Sequence, residues 1–253
     1  AHIHAGGPLR GVAGPPDDAP GLPRTSMDSG PRRSMRSEPR YRTVLFDCDS
    51  TLSTLEGVDE LARNHPEVHA LTEAAMRGEV PLEEVYGRRL GIVRPSRAAV
   101  EALGQRYVET MVPGARETVR ALLDAGVRVR VISGGLRPAV VVLARELGIA
   151  DDDVAAVDVY FSADGAYAGY DASSPLARSG GKRAVVEGWL PELPRPILMV
   201  GDGATDLEVK DVVDRFVAFA GVVARPAVVA AADEVIREFS LLPLLELVFG
   251  RRE

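Results

Sequence analysis

Three short apolar runs, each followed at once by polar residues, constrain the fold of this chain more than any other feature. The runs are Val44–Phe46, Val129–Ile132 and Ile197–Val200. Between them, apolar residues recur at helical spacing, so strands should alternate with helices along the chain. Such alternation predicts a mostly parallel α/β sheet with right-handed crossovers. Ligands of a sheet of this kind bind beyond the carboxyl ends of its strands, so the polar residues after the runs mark the expected site.

The first run ends in the acid pair Asp47-Cys48-Asp49. Side chains two apart on a strand face the same side, so the two carboxylates would repel each other unless a cation or a proton intervened. The pair suits a metal-assisted reaction in which one carboxylate is the nucleophile and the other the acid/base. Two solvated aspartates at a capped strand end would give the same short pattern. Cys48 should point the other way, into the sheet packing.

The second run ends in a hydroxyl and two glycines, Ser133-Gly134-Gly135. Glycines at this point let a backbone N–H approach an anion closely, and the serine adds a donor. The same residues would also form an ordinary strand-to-helix turn. Lys182 follows two further glycines, where a lone lysine would otherwise indicate a surface loop.

The third run ends in a second pair of acids, Asp202 and Asp206, within Gly201-Asp202-Gly203-Ala204-Thr205-Asp206. Carboxylates after a buried strand suit a hard cation such as Mg²⁺, which takes oxygen ligands. A polar turn entering a helix is the alternative.

In this order of acid pair, serine, lysine and acid pair, the chain resembles the haloacid dehalogenase (HAD) superfamily of phosphatases over roughly residues 41–247. The resemblance narrows to the phosphoserine phosphatases. The stretches that carry it are Asp47-Cys48-Asp49-Ser50-Thr51, Glu56-Gly57-Val58-Asp59-Glu60-Leu61-Ala62, Ile132-Ser133-Gly134-Gly135, Gly165-Ala166-Tyr167-Ala168-Gly169-Tyr170-Asp171, Ser179-Gly180-Gly181-Lys182 and Gly201-Asp202-Gly203-Ala204-Thr205-Asp206-Leu207-Glu208.

The resemblance implies a Rossmann-like HAD core, residues 41–54 and 113–250, with a mostly parallel sheet flanked by helices. A small helical cap, residues 55–112, would be inserted after the first strand, and the apolar spacing of this segment is helical throughout. Ser96 is the expected N-cap of its last helix. Residues 1–40 are rich in proline and lack apolar periodicity, which predicts a disordered tail or a misassigned start.

The resemblance also implies the chemistry. Asp47 would attack phosphorus to give an aspartyl-phosphate, and Asp49 would exchange protons with the leaving alkoxide and then with water. Mg²⁺ would be held by Asp47, the Asp49 backbone carbonyl and Asp202, with Asp206 in support. The phosphoryl group would be bound by Ser133, Gly134, Gly135, Lys182 and Thr205.

Substrate selection would come from the cap. By resemblance, Glu56 would meet a substrate amino group, Arg89 would grip a carboxylate, and Met76 and Leu82 would form apolar walls. An arginine fork suits a carboxylate bidentately. One departure is the segment 220–223, which lacks the asparagine that the family often has there. Hydrolysis of another small phosphomonoester, phosphoryl transfer to an alcohol other than water, and an inactive binding module remain as alternatives.

The composition narrows the classes of partner that we expect for this chain. The formal net charge of −7 argues against a nucleic-acid surface. No run approaches the roughly 18 apolar residues needed to span a bilayer, so no membrane partner is expected. A single cysteine fits a reducing compartment, and we expect a cytoplasmic monomer or homodimer that acts on a small molecule.

Overall fold

A computed structural model of the chain describes residues 38–76 and 79–250. The side chains of Ala75, Met76 and Leu82 also lie outside the described part, as does most of the segment 1–40 for which a tail is predicted. Within the described part, no helix is both long enough and apolar enough to cross a membrane.

Six parallel strands form the main sheet, in the order β3-β2-β1-β6-β7-β8, and two antiparallel strands form a separate hairpin, β4-β5. The strands are β1 (Thr43–Phe46), β2 (Arg128–Leu136), β3 (Val154–Val157), β4 (Val159–Phe161), β5 (Tyr167–Tyr170), β6 (Ile197–Gly201), β7 (Arg215–Phe219) and β8 (Glu234–Ile236).

Helices connect and flank these strands. Four of them, α1 to α4, lie between β1 and α5 in what we call the inserted segment, residues 55–112. The helices are α1 (Gly57–Leu61), α2 (Pro66–Met76), α3 (Leu82–Val93), α4 (Arg97–Glu109), α5 (Ala115–Asp124), α6 (Arg137–Glu146), α7 (Gly181–Trp189), α8 (Ala204–Leu207), α9 (Pro226–Ala231) and α10 (Pro243–Phe249).

The central strands are buried on both faces, which explains why they read as continuous apolar runs. Every residue of β1 and of β6 is buried. Cys48, two residues after the end of β1, is fully buried, as its alternation with Asp47 and Asp49 predicts. The Ser96 side chain accepts a hydrogen bond from the Ala99 N–H at 3.2 Å, so the predicted N-cap of α4 is confirmed.

Three elements differ in extent between the prediction from sequence and the structure. Strand β2 continues through Ser133, Gly134 and Gly135, where a strand-to-helix turn is the sequence expectation, and its register with β3 shifts between Ile132 and Leu136. The largely apolar run Val157–Phe161 predicts a single hairpin strand, but it is divided, because β3 joins the main sheet and β4 pairs with β5. The sequence after the third run predicts a helix over Asp206–Val213, but α8 ends at Leu207, because bonds such as Lys210 N–H to Leu207 O adopt the tighter three-residue spacing.

The strand order reverses between β1 and β6. From β1 the chain moves outward through β2 and β3, and from β6 it moves outward on the other side through β7 and β8. A crevice opens at the carboxyl ends of the strands at such a switch point, and ligands of α/β sheets bind there. Asp47 and Asp202 directly follow these two neighbouring strands.

Candidate active site

Parallel pairing of β1 with β6 brings the first acid pair next to the second. Phe46 lies opposite Val200 in the register, and the Asp47 N–H donates to the Val200 carbonyl at 3.0 Å. The Asp47 carboxylate is oriented by the following peptide, since the Cys48 N–H donates to its Oδ1 at 2.7 Å. Both Asp47 and Asp202 are buried, so the edge of the sheet holds carboxylates that are largely removed from water.

Lys182 is the cation among these carboxylates. Its Nζ lies 2.8 Å from Asp47 Oδ1 and 2.6 Å from Asp206 Oδ1. Burial opposes its charge, but the carboxylates of Asp206 and Asp47 outweigh burial and raise the pKa of Lys182. Gly181 permits this placement, because a Cβ there would lie 1.8 Å from the Pro175 carbonyl oxygen. The lysine therefore stays charged, beside the expected nucleophile.

A cation also fits the oxygen donors of this edge. Carboxylate oxygens of Asp47, Asp202 and Asp206 lie within 4.8 Å of one another. Burial, reinforced by Asp206, raises the pKa of Asp202 to about 7 although Arg225 opposes the shift. A hard divalent ion would remove that penalty. Asp206 is already held by Lys182 and by the Gly203 N–H at 2.9 Å, so it is less free than the other two to face an ion.

Asp49 is held entirely by the inserted segment. Its Oδ2 accepts the Gly57 N–H at 2.9 Å, from the start of α1, and its Oδ1 accepts the Tyr107 hydroxyl, from α4. Burial raises the pKa of Asp49, and these two hydrogen bonds partly oppose the shift. A raised pKa favours a carboxyl group that holds a proton it can give and later takes one back, which suits an acid/base role.

Ser133 lies on the irregular end of β2 and is buried. Its Oγ accepts the Gly135 N–H at 2.9 Å. A hydroxyl has one proton to donate, so this bond leaves the Ser133 proton free for a ligand in the pocket. The carbonyl of Gly134, between the two, accepts the hydroxyl of Tyr86 at 2.8 Å.

Arg89 on α3 lines the same pocket, together with Thr72 and Asp59. Arg89 is 6% exposed, and its Nη1 donates to the Thr72 Oγ1 at 3.0 Å. The Thr72 hydroxyl in turn donates to Asp59, whose other carboxylate oxygen lies 2.9 Å from His69 Nδ1. Among the described residues, Arg89 Nε is the one buried side-chain polar atom without a hydrogen-bond partner.

Glu56 also lines the pocket. It accepts the Ser50 hydroxyl at 2.6 Å and lies 3.3 Å from Arg225 Nη2. Burial and the neighbouring Asp49 raise its pKa to about 8, with Ser50 and Arg225 opposing the shift. Ser50 adopts a positive φ of 52°, a backbone conformation that residues other than glycine rarely adopt and that clusters at functional sites.

The structure brings ten of the predicted residues into one pocket, and buries Asp206 directly behind it against Lys182. The side chains of Met76 and Leu82 lie outside the described residues, so their predicted role as walls stays a prediction. The ten pocket residues are Asp47, Asp49, Glu56, Arg89, Ser133, Gly134, Gly135, Lys182, Asp202 and Thr205.

Five residues that the sequence reasoning missed also contribute to this site. Arg225, just before α9, lies 3.1 Å from Asp202 Oδ2 and comes from the same loop in which the family's asparagine is missing. An arginine that follows a strand end by a few residues is the available signal for it. The other four act through contacts between residues that are distant in the sequence, and they offer no local signal: Asp59, Thr72, Tyr86 and Tyr107.

A parallel sheet with a carboxylate nucleophile candidate, a buried lysine and an oxygen-lined cation site at its switch point defines a class of phosphoryl-transferring hydrolase. Residues 41–209 match the family model of the haloacid dehalogenase-like hydrolases, and the chain belongs to this family of enzymes.

Similar proteins narrow the class further. Phosphoserine phosphatase of Bos taurus is 39% identical over 208 residues, which cover 80% of this chain and 92% of that protein. A substrate-bound phosphoserine phosphatase superposes with a TM-score of 0.68 at 27% identity, covering 82% of this chain and 98% of the other. A phospho-aspartyl intermediate analogue of phosphoserine phosphatase gives a TM-score of 0.67 at 26% identity, covering 83% and 99%.

Proposed function

We propose that this enzyme hydrolyses O-phospho-L-serine to L-serine and phosphate through a phosphorylated Asp47. The observation that carries the proposal is the buried Arg89, which lines the same pocket as Asp47 and has an unpaired Nε. A buried donor without a partner is costly, and a ligand carboxylate would satisfy it bidentately. Similarity to phosphoserine phosphatases supports the same substrate.

In the proposed first step, a carboxylate oxygen of Asp47 attacks phosphorus while the bond from phosphorus to the serine oxygen breaks. Asp49 gives its proton to the departing serine alkoxide. Lys182 offsets the negative charge shared by Asp47 and the phosphoryl group, and Ser133 donates its hydroxyl to a phosphoryl oxygen.

In the second step, water attacks phosphorus and the bond to Asp47 breaks, which restores the carboxylate and releases phosphate. Asp49, now deprotonated, takes the proton of that water. Its hydrogen bonds to Gly57 and Tyr107 keep it in one orientation for both steps.

Mg²⁺ is the proposed cofactor. Asp47, Asp202 and the backbone carbonyl of Asp49 would hold it, with Asp206 in support through Lys182 and Gly203. When bound, it would neutralise carboxylate and phosphoryl charge that is otherwise buried together.

The inserted segment is proposed to act as a cap over the pocket. Glu56, at the start of α1, would receive the substrate ammonium group, and Arg89 on α3 would receive the carboxylate. Met76 and Leu82 remain the predicted apolar walls. A monomeric or homodimeric state and a cytoplasmic location also remain predictions.

The test is a panel of kcat/KM values measured with Mg²⁺. L-phosphoserine, D-phosphoserine, phosphothreonine, phosphoethanolamine, a sugar phosphate and p-nitrophenyl phosphate would be compared. We expect L-phosphoserine to lead by a hundredfold or more, or about 2.7 kcal/mol. Phosphoethanolamine separates the two polar ends, since it has the ammonium group but no carboxylate. A flat panel would contradict the proposed substrate.

A different small phosphomonoester is the second candidate. Arg225 already lies 3.3 Å from Glu56, so the expected receptor for an ammonium group has a cationic partner in this structure. A substrate without an amine would leave that ion pair in place. A leading rate with an amine-free ester would favour this candidate. Product analysis with added alcohols would detect transfer to an acceptor other than water.

A further inference from the structure

The irregular end of β2 leaves residues 133–135, the proposed phosphate-binding segment, outside the regular ladder with β3. The register between β2 and β3 shifts between Ile132 and Leu136, and the Gly134–Gly135 peptide lies within that shift. Glycine on both sides gives this peptide unusual freedom to rotate. Ladder pairing that fixes other peptides of the sheet is interrupted here, so other contacts must determine its orientation.

Two hydrogen bonds hold this peptide, one at each side. The Gly134 carbonyl accepts the Tyr86 hydroxyl at 2.8 Å, and the Gly135 N–H donates to Ser133 Oγ at 2.9 Å. Because a peptide unit is planar and trans, fixing the direction of its carbonyl also fixes the direction of its N–H. Tyr86 therefore determines where the Gly135 N–H points, although the two residues come from different parts of the fold.

Tyr86 is itself well fixed. Its side chain is fully buried on α3, its ring packs against Tyr170 with centroids 5.3 Å apart, and the guanidinium of Arg89 lies 5.6 Å from its centroid. Burial raises the pKa of Tyr86, so the phenol stays protonated and remains a donor. A rigid donor of this kind can hold a peptide that glycine leaves free.

We propose that Tyr86 is a positioning residue that sets the hydroxyl of Ser133 for the phosphoryl group through the Gly134–Gly135 peptide. This rests on the proposed phosphatase function. With the Gly135 N–H occupying one lone pair of Ser133 Oγ, the serine proton turns toward the ligand. Without the Tyr86 hydroxyl, the peptide rotates, the N–H leaves Ser133, and the hydroxyl loses its orientation.

The test is a double-mutant cycle of Tyr86→Phe and Ser133→Ala, with kcat/KM measured on both L-phosphoserine and p-nitrophenyl phosphate. Phenylalanine keeps the ring and its packing and removes only the hydroxyl. We expect Tyr86→Phe to lower kcat/KM about tenfold on both substrates, because the phosphoryl group is common to them. In the Ser133→Ala background the same change should cost less than about twofold, because Tyr86 acts through Ser133.

The competitive inhibition constant of inorganic phosphate gives a binding readout. It should rise with Tyr86→Phe when Ser133 is present, and stay unchanged when Ser133 is replaced. Tyr170→Phe is the matched control, since it removes the hydroxyl from the other ring of the same pair. We expect it to change kcat/KM by less than about twofold.

Three outcomes would overturn the inference. Wild-type kcat/KM in Tyr86→Phe would show that the contact is not needed. An equal loss with and without Ser133 would show that Tyr86 acts by another route. A loss confined to L-phosphoserine would assign Tyr86 to the Arg89 end. Lack of wild-type phosphatase activity is a separate result, which would refute the proposed function itself.

Discussion

The strand-end side of the pocket and the inserted-segment side differ in how completely their polar groups are paired. At the strand ends, Lys182 contacts both Asp47 and Asp206, and Arg225 contacts Asp202. At the other side, Arg89 donates to Thr72 but keeps an unpaired Nε. Paired charges can hold their geometry between turnovers, whereas a buried unpaired donor gains a partner only from a ligand. The first side suits chemistry and the second suits selection.

The largest effect should follow from Asp47→Asn. Asparagine keeps the size of the side chain but removes the anionic nucleophile, so we expect phosphate release to fall by about 10⁴-fold or more on every substrate. Cys48→Ala is the control, because the Cys48 side chain is buried on the other side of the strand and alanine keeps the N–H that contacts Asp47. Similar losses in both variants would contradict the assignment.

The second-largest effect should be a loss of metal affinity at the strand-end side of the pocket. Asp202→Asn removes one anionic oxygen donor from the proposed cation site, so we expect Mg²⁺ to bind about tenfold more weakly or worse. Calorimetric titration measures the dissociation constant directly. The rise of Tm on adding Mg²⁺ should also be smaller in this variant, since a ligand that binds the folded state stabilises it less when its affinity is lower. Unchanged Mg²⁺ binding would move the metal away from Asp202.

The comparison predicts a different signature for Arg89→Ala. KM for L-phosphoserine should rise about 30-fold or more, because the variant loses a buried charged partner for the substrate carboxylate. The rate with p-nitrophenyl phosphate, which has no carboxylate, should stay within about threefold. Equal losses on the two substrates would assign Arg89 to the fold or the chemistry instead of to selection.

The smallest effect concerns the support behind Arg89. Thr72→Val keeps the shape of a buried side chain but removes the hydroxyl that links Arg89 to Asp59. We expect KM for L-phosphoserine to rise about three- to tenfold with kcat unchanged, in line with the loss of one hydrogen bond to a charged group. In an Arg89→Ala background the change should have no further effect on KM. Additive losses would show that Thr72 does not act through Arg89.

The strand-end side is also the more predictable of the two from sequence. Parallel strands bring their carboxyl ends to one edge, so the residues after β1 and β6 and those at the end of β2 had to converge. The resemblance to HAD phosphatases supplied the roles. By contrast, the contact of Arg225 with Glu56 spans 169 positions, and no local pattern encodes such a distance. The Asp59–Thr72–Arg89 chain depends likewise on how three helices pack.

Asp49 has a consequence for modular engineering of this fold. Both side-chain hydrogen bonds of this core residue come from α1 and α4, and a Cβ on Gly57 would lie 2.0 Å from the Tyr107 hydroxyl. Grafting another enzyme's insertion between β1 and α5 would therefore replace the surroundings of the proposed acid/base residue together with the proposed specificity pocket. We expect a chimera to keep phosphatase activity only if it has a glycine and a tyrosine at the equivalent positions.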